Sequence, residues 1–168
     1  MIDHARFTDP VPDLVRIVVA IDPSGTKGGD ENSNDDVGII VAGKGIDGNA
    51  YVLSDLTCNL SPLGWGRRAV GAYHRYGADR IVAEVNYGGA LVEANIRAVD
   101  PICSYKEVTA SRGKVIRAEP IAALYEQHRV RHVGRPTDEE TGFREDVWEL
   151  DVLEDQLCLF TPDGYMGK

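Results

Sequence analysis

A chain of 168 residues, 43% of them hydrophobic and 27% charged, has the composition of one globular domain with a core of useful size. No apolar stretch approaches the ~20 residues that a membrane helix needs, and the opening MIDHARFTDP has neither a basic nor an apolar leader region, so an intracellular location is expected. The net charge of −9 argues against a polyanionic partner until its distribution is considered. Residues 1–103 carry nine basic and fourteen acidic side chains, residues 104–135 seven and three, and residues 136–168 two and ten. The middle is a basic island of Lys106, Arg112, Lys114, Arg117, Arg129, Arg131 and Arg135, with His128 and His132 interleaved. Gathered on one face, these cations could touch several phosphates; spread out, they are an ordinary solvated surface. Three cysteines, Cys58, Cys103 and Cys158, are odd in number and too widely spaced for a zinc knuckle, and they read as buried thiols.

In chain order, residues 1–15 read as an arm or linker. RIVVAID (16–22) is a short buried strand, DVGIIVAGK (36–44) a second and NAYVLSDLT (49–57) a third, the last two joined by the Gly-rich turn GKGIDG as a hairpin. The glycines of that turn match a dinucleotide-binding spacing, but they lie between two strands and not between a strand and a helix. SPLGWGRRAVGAYHRYG (61–77) opens with Ser-Pro, a helix start, and its Trp65, Tyr73 and Tyr76 read as core packing. The strand ADRIVAEV, the helix GGALVEANIRAV and the strand CSYKEVTA follow. Residues 111–128 form another helical pattern, in which Pro120 predicts a kink or a start near Ala118, and VRHVG (130–134) is a short strand. The acidic PTDEETGFRED (136–146) is a loop. VWELDVLEDQLCLF (147–160) puts Val147, Leu150, Leu153 and Leu157 on one helical stripe before a frayed tail. His74, His128 and His132 read as surface residues.

Three antiparallel strands followed by strand and helix alternation make an α/β sheet of mixed direction with the first strand central, an order that suits a ribonuclease-H-like fold. RIVVAID and ADRIVAE each end an apolar run on a carboxylate, Asp22 and Glu84. Were the strands parallel neighbours, both acids would sit at one sheet edge. They would repel unless a cation neutralised them, which makes the pair a natural site for Mg²⁺ or Mn²⁺. Taken singly, each acid also fits an ordinary role: Asp-Pro-Ser-Gly is turn chemistry, and a strand-terminal Glu can simply face water. Asp35 and Asp36, at the start of the second strand, are candidates for outer ligands or for a strand cap.

These segments together resemble the C-terminal nuclease domain of phage large terminase subunits, from about Arg16 to Phe160. The likeness is carried by RIVVAIDPSG, by DDVGIIVAG with AYVLSDLT, by ADRIVAEVNYGG, by VTASRGKVIRAEPIAALYEQHRV and by LEDQLCLFTP, in that order. The resemblance implies an endonuclease that cuts concatemeric viral DNA with two divalent ions, Mg²⁺ or Mn²⁺. Asp22 and Glu84 match the family's first two metal-binding acids. Arg112, Lys114 and Arg117 are placed to meet the DNA backbone beside the metals. It further implies double-stranded DNA, the terminase ATPase domain, the small subunit and the portal as partners, and the host bacterial cytoplasm as location. Nuclease domains of this kind are expected to cut weakly and without sequence preference.

Two departures stand beside the likeness. The family's third acid follows the LEDQLCLFTP stretch in a Ser-Pro-Asp-Arg-x-Asp-Ala context, whereas this chain ends at Lys168. Asp163 is the nearest late acid and Asp155 lies within the preceding helix, so a domain of residues 16–168 shortened at its C-terminus is expected. No phosphate-binding Gly-x-x-x-x-Gly-Lys-Ser/Thr loop is present, which excludes the ATPase part. Alternatives are a Holliday-junction-resolvase-like or transposase-like nuclease of the same fold, and an inactive fragment that only binds DNA or the portal. A sugar-kinase-like or actin-like ATP site needs two lobes, for which the chain is too short.

Overall fold

The computed structural model describes residues 2–23, 36–85, 89–109, 111, 113–134, 150–161, 164 and 165. Seven strands form one sheet: β1 (Arg6–Phe7), β2 (Leu14–Asp22), β3 (Gly38–Gly45), β4 (Ala50–Asp55), β5 (Arg80–Glu84), β6 (Tyr105–Val108) and β7 (Val130–Val133), in the order β1-β7-β4-β3-β2-β5-β6. β2, β3 and β4 are antiparallel, while β5 and β6 follow β2 in parallel and β7 runs parallel to β4 and β1. The helices are α1 (Pro62–Arg75), α2 (Gly89–Val99), α3 (Lys114–Glu126) and α4 (Asp151–Cys158), and a hairpin of β8 (Phe160–Thr161) and β9 (Gly164–Tyr165) follows. This mixed sheet with flanking helices has the ribonuclease-H-like order expected from the sequence, with β2 an interior strand between β3 and β5.

Alternation along the strands gives the sheet two unlike faces. Val19, Ile21, Ile39, Val41, Ile81 and Ala83 point to the first face, where they are buried with Trp65, Ala69 and Val70 of α1 and Val92 and Ile96 of α2. Fully burying a side chain such as Ile39, Ile81 or Ile96 stabilises the fold by roughly 1.5–3 kcal/mol. α1 begins where the sequence predicts: Ser61 caps it by accepting a bond from the Gly64 amide at 3.3 Å, and Pro62 occupies a first-turn position that needs no donor. Gly66 lets α1 and α2 approach, since a Cβ there would sit 3.3 Å from the Asn95 carbonyl oxygen. Tyr73 and Tyr76 pack on this core, as expected for the aromatic residues of α1.

The second face is covered only in part. Tyr125 and Leu124 of α3 pack with Ala5, Val130, Ala50, Val52 and Ile2 at the β4–β7 side. The segment read as an arm is therefore built into the sheet, through a 3₁₀ turn at Ile2–Ala5 and through β1 beside β7. α3 starts at Lys114, upstream of the start near Ala118 that Pro120 predicted. The proline removes only the bond to the carbonyl of Ile116, on an exposed turn where water replaces it.

The leucine stripe expected on the last helix is not what anchors it. Leu150 at the N-cap is 1% exposed, but Leu157 faces water and the buried residue within α4 is Glu154. Cys158 is exposed, in contrast to Cys58 and Cys103, because it ends a helix that presents only its first turn to the sheet. His132, read as a surface residue, is fully buried. Its Nδ1 faces Glu154 Oε1 at 2.7 Å and its Nε2 faces the Tyr125 hydroxyl at 2.6 Å, while Arg6 Nε donates to Glu154 Oε2 at 2.9 Å. A ring protonated on Nδ1 that accepts from the Tyr125 hydroxyl satisfies every partner in this chain of bonds.

Burial, helped by the charge of Glu154, pushes the Tyr125 phenol up to about 12, and burial together with Glu107 and Glu93 does the same for Tyr105. Both phenols hold their protons more tightly folded than unfolded, where the pKa is about 10. Their contribution to stability is therefore complete below pH ~10 and is lost as the pH rises through 12. Urea midpoints measured from pH 9 to 12 are expected to fall, and to fall less steeply in Tyr125→Phe, which lowers stability at every pH but removes one of the two titrations.

Candidate active site

β2 and β5 are parallel neighbours in register from Val18↔Arg80 to Ile21↔Ala83. The next residue on each strand is Asp22 and Glu84, so the two acids end adjacent strands side by side at the C-terminal edge of the sheet and share its second face. This is the arrangement the two apolar runs predicted. Each run is apolar because its strand lies inside the sheet, and each ends in a carboxylate because the strand leaves the core there. Asp22 is exposed and Glu84 half-buried. Opposite Asp22 on β3 lies Gly38, where a Cβ would make ordinary contact with the Asp22 Cβ at 3.5 Å.

α3 brings a cation to the pair. Arg117 Nη1 donates to Glu84 Oε2 at 2.6 Å, with 37% and 21% of the two side chains exposed. Among the described residues the buried Arg117 Nε has no partner, and Glu84 is what holds the guanidinium. Of the expected site residues, the structure thus brings together Asp22, Glu84 and Arg117. Lys114 opens α3 one turn before Arg117, and its side chain lies outside the described residues, as do Arg112, Asp35 and Asp163. Asp36 is described and exposed, two residues before Gly38.

Asp155, the other late acid, is exposed on α4, a helix tied to β1 and β7 through Arg6 and His132. Three strand spacings of ~4.8 Å separate β7 from β2, which keeps α4 and its acids away from Asp22. Among the described residues no group of three His, Cys, Asp or Glu side chains is close enough to hold a metal ion. Among the described residues the basic island is also not gathered on one face. Arg129 Nη2 donates to the Gly48 carbonyl at 3.0 Å and Arg131 Nη1 to the His4 carbonyl at 3.3 Å, both at the β4–β7 side, whereas Arg117 reaches Glu84. The buried Tyr125–His132–Glu154–Arg6 network was missed from sequence, since Arg6 and Glu154 are 148 residues apart and no spacing signals the contact.

No helix among the described residues is long and apolar enough to cross a membrane. No curated protein matches the sequence. Similar solved structures include the nuclease domain of the large terminase subunit of bacterial virus Sf6, at 16% identity and a TM-score of 0.55 over 95% of this chain and 79% of that one. A lysine-to-alanine variant of the same domain, solved with calcium, aligns with a TM-score of 0.58 at 15% identity over 90% of this chain and 74% of that one. Thermus thermophilus RuvC in complex with a Holliday junction substrate is also similar, at 13% identity and a TM-score of 0.43, covering 71% of this chain and 84% of RuvC. Residues 19–147 match the family described as the terminase RNaseH-like domain. That span begins inside β2 and takes in both carboxylates, the hairpin and the whole of α3, and the chain accordingly belongs to the terminase RNaseH-like domain family.

Proposed function

We propose that this chain is a metal-dependent DNA endonuclease, the nuclease module of a phage large terminase that cuts concatemeric DNA during genome packaging. The observation that carries the reading is the placement of Asp22 and Glu84 side by side at the ends of β2 and β5. Two carboxylates on neighbouring strands are hard oxygen donors, and one of them already draws a cationic group, Arg117, to 2.6 Å. That donor set fits a divalent ion of the Mg²⁺ or Mn²⁺ type, a preference in keeping with the manganese and calcium in the similar Sf6 structures. Asp22 and Glu84 would hold it. When bound, two such ions supply an activated water and charge stabilisation at the phosphodiester. A third acid, for which Asp163 is the candidate, would complete the set.

The protein's own part is placement. The sheet fixes both carboxylates, since each follows a strand residue that is 2% exposed or less, Ile21 and Ala83. Arg117 holds the Glu84 carboxylate in one orientation and, 37% exposed, sets a positive charge beside it for a phosphate, without reading sequence. The ATPase domain of the terminase, its small subunit and the portal are the partners that would bring DNA to this site.

The test is incubation of the chain with supercoiled plasmid in Mn²⁺, in Mg²⁺ and in EDTA. Nicking in either metal that EDTA abolishes is expected; equal nicking in EDTA, or none in a folded chain with either ion, counts against the reading. Arg117→Ala, and Lys114→Ala beside it, are expected to weaken duplex binding regardless of sequence. Each should flatten the plot of log K against log salt by about 0.9 for every phosphate that is no longer neutralised, and an unchanged slope for both removes α3 from the interface.

A further inference from the structure

The second face of the sheet, on which Asp22 and Glu84 end, carries a pattern that the two acids do not account for. Neighbouring positions on that face are fixed by register: Lys44 pairs with Arg16, Ala42 with Val18 and Val18 with Arg80, and Ile40 with Ala20, Val82 and Lys106 in one row. The last row holds Gly38, Asp22, Glu84 and Val108. Lys44, Arg16, Arg80 and Lys106 thus occupy β3, β2, β5 and β6 in turn, one cation on each of four adjacent strands, all exposed. They form a diagonal about 14 Å wide at ~4.8 Å per strand. It starts six residues along β2 from Asp22, about 20 Å at ~3.3 Å per residue, and rises to Lys106, two residues short of the Glu84 row.

In a chain with 27 acidic and 18 basic residues, four neighbouring cations would ordinarily be matched by carboxylates. Here none of the four makes an ion pair among the described residues, and the one side-chain bond is from Arg80 Nε to Ser104 Oγ at 3.1 Å. Arg16 and Lys44 stand directly opposite each other, a like-charged pair that opposes strand pairing. Of the acids nearby, Asp79, which precedes Arg80, accepts a bond from the Ile17 amide at 2.7 Å, and Asp55, across from Ile40 on β4, accepts one from the Thr57 amide at 2.9 Å. Between Arg16 and Lys44 runs an open cleft of about 220 Å³ lined by Arg16, Val18, Ala42, Gly43 and Lys44. α3 reaches this face at Glu84 and, through Leu124 and Tyr125, at Ala50 and Val52 of β4, the partners of Lys44 and Ala42, while Arg16, Lys44, Arg80 and Lys106 stay exposed.

We propose that this diagonal is a track for the DNA backbone, in which the duplex flanking the cut lies across the second sheet face with its phosphates on Lys44, Arg16, Arg80 and Lys106. The proposal rests on the nuclease reading and adds where the flank runs. A rise of ~3.4 Å per base pair makes the 20 Å from Asp22 to Arg16 equal to about six base pairs. Cations contributed one per strand follow the backbone and leave sequence unread.

The experiment is fluorescence anisotropy of the full chain with a 30-base-pair duplex in EDTA, between 50 and 200 mM salt. Three double variants of equal charge change are compared: Arg16→Gln with Lys44→Gln, Arg80→Gln with Lys106→Gln, and, on α1 over the opposite face, Arg67→Gln with Arg75→Gln. Each sheet pair is expected to flatten log K against log salt by about 1.8 and to weaken binding at 100 mM at least tenfold, and the α1 pair to change neither. A duplex with fewer than six base pairs on one side of its centre should lose sensitivity to the Arg16 and Lys44 pair first. Sheet variants that keep the parent slope, or an α1 pair that flattens it instead, overturn the track. A parent chain with no salt-dependent binding overturns the nuclease reading with it. Arg16→Lys with Arg80→Lys should retain the parent slope, which separates charge from any loss of fold seen as a lowered melting temperature.

Discussion

Asp22→Asn is expected to lower metal-dependent plasmid nicking by about 10³-fold, and Glu84→Gln by a similar factor, with neither variant losing its fold. Charge stabilisation at the phosphodiester amounts to several kcal/mol, and about 4 kcal/mol corresponds to three decades of rate. Each amide keeps the shape of the side chain and one oxygen but gives up the negative charge that holds a hard cation. Stability should change little for Asp22→Asn, because Asp22 is exposed and the amide keeps the size and shape of the side chain. Glu84→Gln gives up the pairing with a half-exposed Arg117, an exchange that lowers the melting temperature by a few degrees at most. Initial rates across a Mn²⁺ titration, beside melting curves, check both halves. A variant that keeps a tenth or more of parent activity removes that acid from the site.

Glu154→Ala is expected to do the opposite, unfolding the protein more readily while leaving the chemistry in place. The change strands His132, which is 0% exposed, without the acceptor for its Nδ1, and it takes one of the two carboxylates from Arg6, which keeps Asp151. Breaking a buried pair by removing one partner costs about 3–5 kcal/mol. Arg6 is 43% exposed and can be solvated, so the lower end applies here, about 3 kcal/mol. For a chain of this size that is a fall of about 6–12 °C in melting temperature. Nicking measured well below the new transition should stay within about twofold of the parent, since α4 lies three strands from β2. A fall of less than 2 °C would show that water replaces Glu154 at the His132 ring.

The difference between these two experiments mirrors what could be read from the sequence. Asp22 and Glu84 were legible because a local pattern marks them: an unbroken apolar run that halts on a carboxylate can be seen in seven residues, and parallel pairing then follows from the strand and helix order. The hairpin was legible for the same reason, its turn glycines lying between two apolar strands. The Tyr125–His132–Glu154–Arg6 network was not, because a buried histidine in VRHVG looks like a surface one until a carboxylate from 22 residues further on is laid beside it. The basic island misled through proximity in sequence. Its Lys106 belongs with Arg16, Lys44 and Arg80, which are scattered over three other strands, and only the register of the sheet assembles them.

The sheet order carries a last consequence for motion. β2 has β3 and β4 on one side and β5 and β6 on the other, so its amides exchange with solvent only when the whole domain opens. β1 has two residues and one neighbour, at the margin of the sheet, so it is expected to detach before the interior strands and at lower free energy. Asp22 and Glu84 grow from two interior strands and are expected to keep their spacing while the margin frays. The domain can therefore loosen where β1, β7 and α4 meet without retuning the two carboxylates on which its chemistry depends.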